Sequence, residues 1–222
     1  MILGRSAARA WAFVPAALLF SGVLGCGGNS AAAARKALPS QYPSVRNNWH
    51  GIIERVEFKE NFSLDDYSEL VIVPIDTSQT PMPPKDNTYV PVKEALERCT
   101  YVVSQGIESK LTSTPVTVAP STVPAGRIVV LRGTITEMNP GSQAARYWVG
   151  FGAGSAGTRL SAELVDGPSG RVLLRLKDGA VAPGGMFGGG YRDLLDANMK
   201  VLGRDIGVLL TGFSPRAAAA KK

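Results

Sequence analysis

Two periods of apolar and polar residues run through this chain, and the places where one gives way to the other mark its elements. From residue 158 to 165, Leu160, Ala162 and Leu164 interleave with Arg159, Ser161 and Glu163. From 171 to 177, Val172, Leu174 and Leu176 interleave with Arg171, Arg175 and Lys177. A period of two predicts strands with one buried face. Asp166-Gly167-Pro168-Ser169-Gly170 lies between them and supplies turn residues, so the pair reads as a hairpin. Arg127 to Met138 predicts a longer strand, with Gly133 expected at a bulge or a point of close packing. Leu70 to Ile75 is an unbroken apolar run rich in β-branched residues, which predicts a strand buried on both faces, with Pro74 near its end. Residues 51–58 and 116–118 read as two further strands.

The longer period predicts two helices. Val92, Ala95, Leu96, Cys99, Val102, Val103 and Ile107 recur at helical spacing within 92–111. Pro91 suits the start of that helix and Pro115 forbids its continuation. Leu195, Met199, Leu202, Ile206 and Leu209 make one stripe within 191–210. Gly203 and Gly207 lie beside it and would let another backbone come close. Together these elements predict an α+β (or α/β) domain over residues 49–213: a mixed sheet of about five strands packed with two main helices. The alanine- and lysine-rich residues 214–222 read as a disordered tail.

The first residues follow another logic. Arg5 and Arg9 precede the apolar stretch Trp11 to Phe20, and Ser21 to Gly25 lead into Cys26. This is the layout of a secretory signal, too short in its apolar part to persist as a membrane span. Residues 1–25 therefore read as a signal and 26–48, rich in Gly, Ala, Ser and Pro, as a flexible tether. Val23-Leu24-Gly25-Cys26 resembles the lipobox of bacterial lipoproteins. That resemblance implies cleavage before Cys26, a diacylglyceryl group on its thiol and acyl chains such as palmitate on the new amine. At about 0.8 kcal/mol per buried methylene, two or three chains hold a protein firmly. Gly27, where an aspartate would favour the inner membrane, points to the outer membrane and its periplasmic side.

Charge and composition mainly exclude. The net charge of +6 falls to +4 without the signal, 22 basic side chains against 18 acidic, and the excess is spread out. No basic stripe interleaved with aromatics is present, which argues against nucleic acid as a partner. The single histidine, His50, excludes multi-histidine zinc sites and most histidine-assisted nucleophiles. Cys99, left alone once Cys26 is lipidated, falls on the apolar side of the first helix and is expected as a buried thiol.

Candidate chemistry is sparse. Gly152-Ala153-Gly154-Ser155-Ala156-Gly157 has the spacing of a dinucleotide loop, with Asp178 at a fitting distance. Such a loop needs a full helix after it, and here a strand pattern follows. Asp65-Asp66 read as a solvated turn. Arg146, Tyr147, Trp148 and Phe151 put a cation and three aromatics within six positions, and Met186 and Phe187 stand between glycines. Such groups are enriched at contact hot spots, so these six are the candidate interaction surface. No catalytic residue, metal ligand or cofactor site is assigned.

Leu70-Val71-Ile72-Val73-Pro74, Arg132-Gly133-Thr134-Ile135-Thr136, Arg146 with Gly150-Phe151-Gly152-Ala153-Gly154, and Leu164-Val165-Asp166 with Ser169-Gly170-Arg171-Val172-Leu173 carry a likeness. Over residues 60 to 213 the chain resembles an uncharacterised bacterial lipoprotein family, domain of unknown function 4410. The resemblance implies a lipoprotein and adds no activity. A looser similarity is to the periplasmic domain of the curli secretion channel subunit, which implies a mixed sheet flanked by helices and a tendency to form rings. The expectation is a membrane-anchored envelope lipoprotein, held by lipid on Cys26, that acts without catalysis as a binding or assembly module for an envelope protein partner. The alternatives are a subunit of an oligomeric envelope complex, and a hydrolase using Ser and Asp without His.

Overall fold

The computed structural model describes residues 52–119, 126–142, 154–182 and 190–214. Six strands form one mixed sheet: β1 (Arg55–Phe58), β2 (Glu69–Ile72), β3 (Val116–Val118), β4 (Ile128–Asn139), β5 (Ala156–Asp166) and β6 (Val172–Ala182). Their order across the sheet is β1-β6-β5-β4-β2-β3. The first four pair antiparallel, and β4-β2 and β2-β3 pair parallel. The α+β class with two helices is as expected, with six strands rather than about five.

Helix α1 (Tyr89–Glu108) connects β2 to β3, and α2 (Tyr191–Thr211) follows β6. The two pack on each other and on one face of the sheet. Strand alternation supplies that face with Leu70 and Ile72, Val129 and Leu131, Leu160 and Leu164, and Leu174 and Leu176, all buried. Every member of the predicted α2 stripe is fully buried among them. Among the described residues the opposite face carries a smaller apolar cluster at one end, Val71, Ala119, Ile128, Val130 and Val165, and is otherwise polar.

Several boundaries differ from the sequence expectation for physical reasons. Helix α1 starts at Tyr89, so Pro91 is its third residue. An N–H there has no partner within the helix, and proline loses nothing. Thr88, just before the helix, donates its N–H and hydroxyl to the Asp86 carboxylate, at 2.8 and 2.6 Å. The irregularity in β4 falls between Ile135 and Glu137, not at Gly133. Gly133 is instead a close-packing point, where a Cβ would lie 3.2 Å from the Leu160 side chain. The β5-β6 pairing shifts between Leu164 and Val165, which turns Val172 onto the smaller cluster and puts Leu173 in the main core.

Gly203 and Gly207 do admit a second backbone, that of α1. A Cβ on Gly203 would sit 2.2 Å from the Val103 carbonyl oxygen, and one on Gly207 2.8 Å from that of Ile107. Cys99 is buried, and burial pushes its thiol above the ordinary value. The chain beyond α2 is pinned as well. Phe213 stacks on Phe62 with ring centroids 4.4 Å apart, and Ser214 is buried and donates its hydroxyl to Asp65.

Candidate functional site

The polar face of the sheet is built from residues of opposite parity to the core, and strand register sorts them into rows. In one row Glu57 of β1 stands opposite Arg175 of β6, Arg175 opposite Glu163 of β5, and Glu163 opposite Arg132 of β4. Charge alternates along this row, and Arg175 Nε donates to Glu163 Oε1 at 2.7 Å. Lys59 lies 2.6 Å from Glu57 and holds that carboxyl below its usual range, chiefly through their hydrogen bond.

Two rows along, Arg159 of β5 lies between acids. Its Nε is 3.0 Å from Glu137 and its Nη1 3.3 Å from Glu54. Its cross-strand partner on β6 is Gly179, and a Cβ there would fall 2.8 Å from Glu54 Oε1. The glycine leaves the room in which arginine and glutamate meet.

The row between these two is different. Arg55 of β1 stands opposite Lys177 of β6, Lys177 opposite Ser161 of β5, and Ser161 opposite Thr134 of β4. A bridge to Asp76 follows Thr134. Arg55 and Lys177 are exposed, and neither forms an ion pair among the described residues. A groove of about 690 Å³ runs over this part of the face, lined by Arg55, Lys177, Ser161, Thr134, Arg132 and Asp76 together with Val73 and Pro74. Glu57, Glu163 and Arg175 of the neighbouring row line it as well, so three carboxylates share the groove with the cations and hydroxyls.

A second polar feature lies on the helix side. Asp178 of β6 is only 2% exposed and belongs to the parity of Leu174 and Leu176. Its Oδ1 accepts the Gly179 N–H at 2.9 Å, while Oδ2 and the nearby strand's Thr158 hydroxyl are buried with no partner within hydrogen-bond geometry among the described residues; the Glu54 backbone N–H, like that of Gly179, favours the ionised carboxylate. Burial, then the charge of Asp205 on α2, pushes Asp178 up to about 7. Burial also raises Asp205 to about 6. Among the described residues no group of three or more His, Cys, Asp or Glu could hold a metal ion.

Cys26, His50, Arg146, Tyr147, Trp148, Phe151, Met186 and Phe187 lie outside the described residues. The register pairs Asn139 with Gly157 and Ala156 with Ala182, and Ser142 donates its N–H to the Gly154 carbonyl at 3.1 Å. Ser142, Gly154 and Ala182, the described residues that border 143–153 and precede 183–189, therefore lie at the same end of the sheet. The segment with dinucleotide-loop spacing leads into β5 at Ala156, not into a helix. The charged rows were missed by sequence reasoning. Hairpin alternation places Arg175 and Lys177 on the polar face, but their neighbours on β1 and β4 follow only from register.

The resemblance to an uncharacterised family is borne out over part of the chain. Residues 91–190 match the family model described as Domain of unknown function (DUF4410). This is a narrower span than 60 to 213. The stretch that matches DUF4410 takes in β3 to β6 and most of α1, so it holds Thr134, Ser161 and Lys177 but not Arg55. A comparison with curated proteins finds no match. Among solved structures the chain is similar to a PelC dodecamer from Paraburkholderia phytofirmans, at TM-score 0.45 and 13% identity, covering 68% of this chain and 96% of that one. Protein XCC0632 from Xanthomonas campestris gives TM-score 0.36 and 12% identity over 69% of this chain and 87% of that one. Lipoprotein GNA1162 from Neisseria meningitidis gives 0.29 and 15% over 52% and 81%. Likenesses this distant carry nothing about activity or assembly. No helix among the described residues is long and apolar enough to cross a membrane.

Proposed function

We propose that this protein is a lipid-anchored component of the cell envelope, facing the periplasm from the outer membrane, that works as a non-catalytic binding or assembly module. The observation that carries the reading is the order of features along the chain: paired arginines, a short apolar stretch, Val23-Leu24-Gly25-Cys26, a polar tether, and then the sheet and helices from Arg55 onward. Acyl chains on Cys26 would hold at a bilayer a folded part in which no helix among the described residues is long and apolar enough to cross one. The polar sheet face supports the binding half of the reading, because it offers donors and cations in a groove.

The test is fractionation of cells expressing the chain and its Cys26→Ser variant. The parent is expected to pellet with the envelope and the variant to move to the aqueous fraction. Equal distribution of the two would overturn the anchoring. Native mass measurement on the detergent-extracted protein decides between a module acting alone and a ring subunit.

A further inference from the structure

We infer that the row formed by Arg55, Lys177, Ser161 and Thr134 is a docking site for an extended peptide segment of a partner protein that carries acidic side chains beside an apolar one. The inference rests on the reading of this chain as a binding module and names the chemistry of its partner.

Arg55 and Lys177 are direct cross-strand partners on the polar face. Like charges placed so destabilise a sheet, and the register allows no relief along the row, since the next two positions are the hydroxyls of Ser161 and Thr134. The rows on either side contain ion pairs: Arg175 with Glu163 on one, and Arg159 with Glu137 and Glu54 on the other. Folding therefore supplies ion pairs to its neighbours and leaves the two cations of this row with none among the described residues, although the charge of Arg55 is felt at Glu57 and Asp76 stands at the far end. The hydroxyls of Ser161 and Thr134 also make no hydrogen bond among the described residues. Four adjacent strands thus present an unbroken line of solvent-facing donors, with Arg132, which forms no ion pair among the described residues, beside it. An anionic group over Arg55 and Lys177 would remove the repulsion and gain charge-assisted hydrogen bonds.

Shape and sign then favour a peptide over a uniformly anionic polymer. From Arg55 to Thr134 the row crosses three strand spacings, roughly 14 Å, which an extended peptide spans with four or five residues. Glu57, Glu163 and Asp76 flank the row and would repel a chain charged at every unit. A peptide tolerates them, since its neutral positions carry N–H donors. Val73 and Pro74 at the far end of the groove give an apolar side chain a place to lie.

The experiment is selection of a displayed library of random seven-residue peptides on the full chain in detergent, followed by affinity measurement of the enriched peptides. Enrichment of sequences with one or two acids and a nearby apolar residue is expected. Binding should weaken at least tenfold in Arg55→Ser/Lys177→Ser, survive in Lys177→Arg and in the distant control Lys93→Ser, and fall as salt rises. The double variant should melt no lower than the parent, which separates lost binding from lost folding. The inference is overturned if nothing acidic is enriched, if the double variant binds equally well, or if an oligomer of uronic acid binds the same row more tightly than any selected peptide. Anchoring through Cys26 is read by fractionation, so a failure here and a failure of the envelope reading are distinguishable.

Discussion

Gly106 of α1 and Gly203 of α2 face each other where the two helices cross. A Cβ on Gly106 would lie 2.8 Å from the Gly203 Cα and 2.5 Å from the Lys200 carbonyl oxygen, so backbone meets backbone with no side chain between. Neither contact can be relieved by turning a flexible side chain away. Gly203→Ala should push the helices apart and lower stability by roughly 1–3 kcal/mol or more, the usual range for overpacking, despite alanine's better helix propensity. Chemical denaturation of the parent and variant checks this. An unchanged midpoint would mean the helices are not in this contact.

Asp178 makes stability depend on pH. Its folded value, about 7, lies above the ordinary 3.8, so the folded protein binds this proton more tightly than the unfolded chain. That stabilisation is present in full below about pH 4 and is lost as pH rises toward 7. Asp205 acts in the same direction up to about 6. The backbone N–H groups of Gly179 and Glu54 favour the ionised form of Asp178, the smaller effect of the Glu54 charge opposes it, and Arg204 favours ionisation of Asp205. Asp178→Asn keeps an acceptor for the Gly179 N–H and cannot ionise. It should gain roughly 1–3 kcal/mol over the parent at pH 8, the scale of an unsatisfied buried polar group, and little at pH 4. Melting curves at the two pH values read the difference. An equal effect at both would rule out ionisation as the cause.

The like-charge pair on the polar face gives a prediction of opposite sign to most substitutions. Lys177→Thr removes a cation standing opposite Arg55 and places a β-branched residue in a strand. It should raise stability by a few tenths to about 1 kcal/mol at low salt, with the gain shrinking as salt is added. Thermal melts at two salt concentrations measure it. A loss of stability would show that Lys177 has a partner in the fold.

How much of this was legible beforehand follows from the range of each signal. The β5-β6 hairpin and both helix stripes were readable because period and turn residues are local: Leu160, Ala162 and Leu164 alternate within one strand, and Leu195 to Leu209 recur within one helix. The α2 glycines pointed to a close approach, but not to Gly106 as the partner, since nothing in α1 marks which turn α2 will cross. Asp178 shares the parity of Leu174 and Leu176, so its burial is present in the pattern, although a lone acid on an apolar face gives no local sign of what it packs against. The central row could not be read at all. It joins residues 55, 177, 161 and 134, and only the pairing of four strands, one of them more than a hundred positions away in the chain, puts those side chains in a line.

The most direct measurement of the central claim is the mass of the N-terminal peptide of the protein isolated from cells. The account predicts a chain beginning at Cys26, heavier than its amino acids by a diacylglyceryl group with or without a further acyl chain. A chain that begins elsewhere, or a Cys26 peptide with no added mass, would contradict it.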